Sequence, residues 1–173
     1  MRKQTTTLGV IFVMAMIGLT GCSSISSSRS VLRNPQNHST WQTLKDEPDI
    51  STFASLIKSA GLQSAMKTAG NYTVFAPINA AFTQLPKGTL KDLTKKINRN
   101  ALRSLLWHHI ALYQITATSS PVQDMADSQS VTIASNGRRI LKVNGAKVVG
   151  GPIYTDDATV YMINKVLLPR AGK

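Results

Sequence analysis

The chain has 173 residues, with 20 basic and 8 acidic side chains and a formal net charge of +12 at pH 7. That length accommodates one compact domain and little more. Its single cysteine, Cys22, excludes an intramolecular disulfide framework.

At the start, Arg2 and Lys3 precede an apolar run at residues 8–19, interrupted only by Gly9 and Gly18. A charged beginning, a short apolar centre and a small-residue exit describe a secretory signal. The run falls short of the roughly 20 residues that cross a bilayer as a helix. Leu19-Thr20-Gly21-Cys22 resembles the bacterial lipobox. The resemblance implies that residues 1–21 are removed, that Cys22 carries lipid, and that it becomes the first residue. At about 0.8 kcal/mol per buried methylene, two or three acyl chains make such an anchor effectively permanent. Ser23, where Asp would retain a lipoprotein at the inner membrane, resembles outer-membrane sorting. The expected location is the bacterial envelope, facing periplasm or cell surface.

Without Arg2 and Lys3, 18 basic and 8 acidic side chains remain, a net charge of +10. Residues 22–45 are rich in Ser, Asn, Gln and Arg and read as a lipidated N-terminus and polar tether. Trp41 and Leu44 stand out in it as residues suited to dock on the domain or touch the membrane interface. The domain is expected at residues 46–170, followed by a short tail at 171–173.

Pro48, the apolar positions Ile50, Phe53, Ala54 and Ile57, and Gly61 mark a helix with its start and stop. After the Gly70-Asn71 turn, Tyr72-Thr73-Val74-Phe75-Ala76 suits a buried strand that Pro77 ends. Asn79 is positioned to cap a short helix over residues 80–85. Further helices are predicted from Lys87 through Lys96 and from Asn100 to Trp107, the latter turning Leu102, Leu105 and Leu106 inward. Short strands follow at residues 131–133, 140–143, 147–149 and 160–168, separated by Asn136-Gly137, Asn144-Gly145 and Gly150-Gly151. A helical first half and a stranded second half predict an α+β domain.

These segments resemble the fasciclin domain. Residues 72–86, YTVFAPINAAFTQLP, are similar to its first signature and residues 160–169, VYMINKVLLP, to its second. Leu105-Leu106-Trp107-His108-His109-Ile110 falls at its tyrosine-histidine segment, and residues 141–149 at its asparagine-glycine hairpin. The resemblance runs in order from Asp46 to Pro169. It implies two small β-sheets in a wedge flanked by helices, and a role in adhesion. His109 matches the family histidine, His108 replaces the usual tyrosine, Ala80 a common acidic residue and Asn164 an aspartate. These departures remove acidic and tyrosine contacts.

Catalytic patterns do not emerge: HExxH, GxSxG and phosphate-cradling glycine loops are missing from the sequence. No enzyme activity and no cofactor are expected. Adjacent histidines diverge by about 100° on a helix and point to opposite faces of a strand. One of His108 and His109 is therefore expected in the core and one at the surface, without a metal. Asp156 and Asp157 lack the further oxygen ligands that calcium requires.

The basic series Lys87, Lys91, Lys95, Lys96, Arg99 and Arg103 gives a broadly basic side, since a spacing of four drifts by about 40° per step. Arg138, Arg139, Lys142 and Lys147 form a second basic group on the hairpin strands. Both suit a solvated surface or a salt-sensitive contact with an acidic polymer. Aromatic residues are not interleaved, so sequence-specific nucleic-acid reading is not expected. Two functions compete: a membrane-anchored, non-enzymatic adhesion or matrix-interaction domain that binds an acidic polysaccharide or an envelope or matrix protein, and a carrier or sensor of a small apolar ligand. The sequence leaves the oligomeric state open.

Overall fold

The computed structural model describes residues 39–169 except Ala69. The signal segment, Cys22 and the tail at 171–173 lie outside the described residues. No helix among the described residues is long and apolar enough to cross a membrane.

The domain begins before the expected boundary. Helix α1 (Thr40–Asp46) buries Leu44 completely in the core. The last residues assigned to a tether thus belong to the folded domain, held there by the Leu44 that stood out as suited to dock on it, with Trp41 packed against the same core. After a 3-10 turn at Pro48–Ile50, helix α2 (Ser51–Ala60) follows the predicted apolar spacing, burying Phe53, Ala54, Leu56, Ile57 and Ala60. Gly61 closes it at φ +71°: its N–H donates to Lys58 O and that of Leu62 to Ile57 O, both at 3.1 Å. This double bond pattern satisfies the last carbonyls and requires the left-handed backbone that glycine adopts without strain.

Helices α3 (Ala65–Thr68), α4 (Asn79–Phe82), α5 (Thr89–Leu93) and α6 (Arg99–Trp107) are short. The single basic helix expected from Lys87 through Lys96 is instead α5 followed by a 3-10 turn at Lys96–Asn98. Neither piece buries a residue, so nothing extends the helical run by packing.

Seven strands form one mixed sheet, β2-β1-β7-β6-β5-β4-β3 in order, in place of the expected two-sheet wedge. They are β1 (Tyr72–Pro77), β2 (Ile110–Ala111), β3 (Val122–Asp124), β4 (Ser130–Ser135), β5 (Ile140–Val143), β6 (Ala146–Tyr154) and β7 (Ala158–Ile163). The physical reason lies at Gly150-Gly151. Read from sequence as a turn, this pair sits inside β6 as an irregularity, with the register shifting between Val149 and Ile153. Strand β6 therefore runs on from its β5 partner to its β7 partner and keeps both halves in one ladder. The two edges return towards each other: Ala126 N–H donates to Ile110 O at 2.7 Å, and Asp124 N–H donates to the Tyr113 hydroxyl at 2.8 Å.

β1 and β7 pair in parallel, from Tyr72 opposite Ala158 to Pro77 opposite Ile163. Every residue of β1 is buried, as expected of a strand covered on both faces. On the helical side, Tyr72, Val74, Ala76 and Val160 pack with Leu44, Phe53, Ile57, Leu102 and Leu106. On the other side, Phe75, Tyr161 and Ile163 pack with Ile115, Val131, Ile133 and Val143.

Candidate functional site

The two histidines come first because both are inside. His108 is 2% exposed and His109 1%, which corrects the expectation of one at the surface. The chain leaves α6 and enters β2 at this point, so the two rings diverge within the protein instead of across its boundary. His109 Nδ1 lies 2.8 Å from Leu105 O, and its Nε2 accepts from Leu167 N–H at 2.9 Å. The ring is thus a neutral tautomer carrying its proton on Nδ1. Burial pushes its pKa down from 6.5 to about 4. It ties helix α6 to the segment after β7. His108 Nδ1 lies 2.8 Å from Asp127 Oδ2, in the loop between β3 and β4, and Asp127 Oδ1 accepts from Gln129 N–H. Asp127 was not legible as a partner, since nothing local links it to a histidine 19 residues earlier. Neither imidazole is exposed at the surface. Among the described residues no group of three or more His, Cys, Asp or Glu side chains is gathered to hold a metal.

Asp157 is likewise internal in its role. Its Oδ1 accepts from Thr40 N–H at 3.0 Å and from the Thr155 hydroxyl at 3.1 Å, holding the start of α1 on the β6–β7 turn.

All the basic candidates are exposed: Lys87, Lys91, Lys95, Lys96, Arg99 and Arg103 around α5 and α6, and Arg138, Arg139, Lys142 and Lys147 around β5. The first group is spread over α5, a 3-10 turn and α6 and does not share one helical face. Lys95 is paired with Asp92 at 2.7 Å. The Arg99 guanidinium lies so close over Gly61 that a Cβ there would be 2.9 Å from it.

The second group is better organised. Asn144 and Gly145, with φ of +47° and +79°, make the two-residue turn that joins β5 to β6. This places Lys142 directly opposite Lys147. Asn164, at the family's aspartate position, accepts from Lys147 N–H at 2.8 Å and donates its own N–H to Lys147 O at 3.0 Å. At the other end of β5, the Asn136 side chain accepts from the N–H groups of Arg138 at 3.1 Å and Arg139 at 3.0 Å, fixing the backbone that presents both guanidiniums.

Arg138 and Arg139 border a groove of about 600 Å³ between the segment at residues 114–117, the β4–β5 turn and the glycine irregularity of β6. Tyr161 and Thr159 of β7 form its floor, and Tyr154, 65% exposed, stands on its rim. Tyr161 is held by a stacked contact with Phe75, ring centroids 5.6 Å apart, and its hydroxyl donates to Ile115 O at 3.3 Å. Burial raises its pKa, with a smaller contribution from the neighbouring Tyr154. This groove was not legible in the sequence, because Tyr154, Thr159 and residues 114–117 join the arginines only through sheet topology.

The Fasciclin domain family model matches residues 48–169. The immunogenic protein MPB70 of Mycobacterium bovis is 44% identical over 103 residues, covering 59% of this chain and 52% of that protein. The cell surface glycolipoprotein MPB83 of Mycobacterium bovis is 41% identical over 106 residues, covering 59% of this chain and 46% of that protein. This chain thus spans about half the length of these mycobacterial relatives. Protein sll1483 of Synechocystis is 33% identical over 122 residues, covering 69% of this chain and 67% of that protein. In fold, the chain is similar to a FAS1 domain pair from the insect cell adhesion molecule Fasciclin I, with a TM-score of 0.64 and 16% identity over 78% of this chain and 52% of that one. The ordered signatures, the mixed sheet with its helical layer and the match over residues 48–169 converge: this chain belongs to the fasciclin-domain family.

Proposed function

We propose that the protein is a membrane-anchored, non-enzymatic interaction module that holds an acidic polymer of the envelope or surrounding matrix. The observation that carries this reading is the hairpin group. Arg138, Arg139, Lys142 and Lys147 are exposed, and none has a carboxylate partner among the described residues. Clustered unneutralised cations attract polyanions through a field that salt screens. The lipobox-like Leu19-Thr20-Gly21-Cys22 and a relative named as a cell surface glycolipoprotein support display from a lipid at Cys22, on the outer membrane by the Ser23 reading. Adhesion fits the name of the insect molecule that shares the fold.

Two measurements test it. Labelled palmitate should enter the protein in cells and be lost on Cys22→Ala. The processed chain should be retained on alginate or heparin columns and elute with salt. Changing Arg138, Arg139, Lys142 and Lys147 to Gln should lower the eluting salt strongly. The same change at Lys91, Lys95, Arg99 and Arg103 should lower it less, since one of these is already paired and another covers Gly61. Retention indifferent to both sets, or to salt, would sink the polymer reading.

A further inference from the structure

The groove bordered by Arg138 and Arg139 carries a more specific assignment. We propose that it is a subsite for an anionic sugar unit within an acidic polysaccharide, the arginines taking the carboxylate or sulfate and Tyr154 the apolar face of the ring. This rests on the polymer-binding reading and says where on the surface recognition happens.

Four observations support it. The groove volume, about 600 Å³, lies inside the roughly 300–1,000 Å³ range of small-ligand sites. Arg138 and Arg139 both line it from a backbone fixed by Asn136, and guanidinium forks match planar oxyanions in a paired geometry that lysine does not offer. Tyr154, 65% exposed, lines the same groove and offers an aromatic ring to solvent. The fourth observation is on the floor. Thr159 lines the groove there with a hydroxyl-bearing side chain. A sugar brings hydroxyls, an apolar ring face and a charged substituent, which are the three chemistries this floor and rim present. An acidic peptide would use the arginines but would leave Tyr154 and Thr159 without a role.

The test uses the processed chain with Cys22→Ser, isotope-labelled, titrated with trigalacturonate, its fully methyl-esterified form, a heparin tetrasaccharide and a hexaglutamate peptide, while backbone amide shifts are followed. Trigalacturonate or the heparin tetrasaccharide should move the amides of Arg138, Arg139, Gly150 and Gly151, and which of the two binds tighter separates carboxylate from sulfate as the preferred anion. The methyl ester should move them little. The pair Arg138→Gln and Arg139→Gln should weaken binding at least roughly tenfold, the scale of one charge-assisted bond. Tyr154→Ala and Thr159→Val should each weaken it about threefold or more while leaving the thermal midpoint nearly unchanged. Shifts confined to the α5–α6 region, equal binding of the methyl ester, or tighter binding of hexaglutamate would overturn the assignment. Retention on polymer columns without any binding of the short saccharides would overturn it too, and would leave the polymer reading standing.

Discussion

Lys142 and Lys147 stand directly opposite each other across the β5–β6 ladder, two like charges on neighbouring strands. Such a pair destabilises a sheet, and Asn164 nonetheless pins the backbone of Lys147 in that register. Lys147→Glu should convert repulsion into a cross-strand ion pair and raise stability by a few tenths to about 1 kcal/mol. Polymer retention should fall in the same variant. Urea denaturation and salt elution, measured side by side, check both signs; a variant both less stable and better retained would contradict the account of this pair.

His109 sets a pH dependence. Its folded pKa of about 4 lies below the ordinary 6.5, so the unfolded chain takes up a proton that the folded domain refuses. Stability should therefore be unaffected by this group above pH 6.5 and should fall as pH drops from 6.5 towards 4. The total is on the order of 3 kcal/mol. His109→Gln should start from a lower plateau but lose that slope. Urea midpoints taken from pH 7 to pH 4 decide it.

Gly61 and Arg99 form a second checkable pair. An Ala at position 61 would adopt φ +71° and place its Cβ 2.9 Å from the Arg99 guanidinium. Gly61→Ala should cost about 1 kcal/mol from the backbone, with little added by Arg99, whose exposed side chain can swing aside. Adding Arg99→Ala should therefore recover little, which a double-mutant cycle in denaturant measures. Full recovery would show that the left-handed backbone costs nothing here.

The reading of the sequence succeeded where local chemistry decides. Period, proline and glycine located α2 and its end, and Asn144-Gly145 located the β5–β6 turn. It failed where a distant residue decides. Asn79 looked like the cap of its own helix; its side chain instead accepts from Thr52 N–H at 2.9 Å and donates to Pro48 O at 2.8 Å, capping α2 from outside. Gly150-Gly151 looked like a turn because the strand partners that carry β6 through it are not local. β2 and β3, two and three residues long, are too short to show a period. The basic residues were all visible as charges. Their sorting into a dispersed helical group and an ordered hairpin group, with a groove beside the second, came only with the register.

Asp157 holds the start of α1 through Thr40, and α1 in turn supplies Leu44 to the core. Asp157→Ala should cost about 1–2 kcal/mol, the scale of a lost helix cap. It should also loosen α1 locally before the domain unfolds. Limited trypsin digestion at Lys45 would then accelerate under native conditions; an unchanged cleavage rate would show that α1 is held by Leu44 alone.

The parallel pairing of β1 with β7 joins Tyr72 to Ala158, which means that the centre of the sheet cannot close until the last strand is available. Long-range parallel contacts of this kind slow folding, because the intervening loop must be ordered before any pairing rewards it. During synthesis the middle of the sheet would wait for the end of the chain. A chain truncated before Ala158 would therefore leave every residue of β1 without its parallel partner, however well its other segments fold.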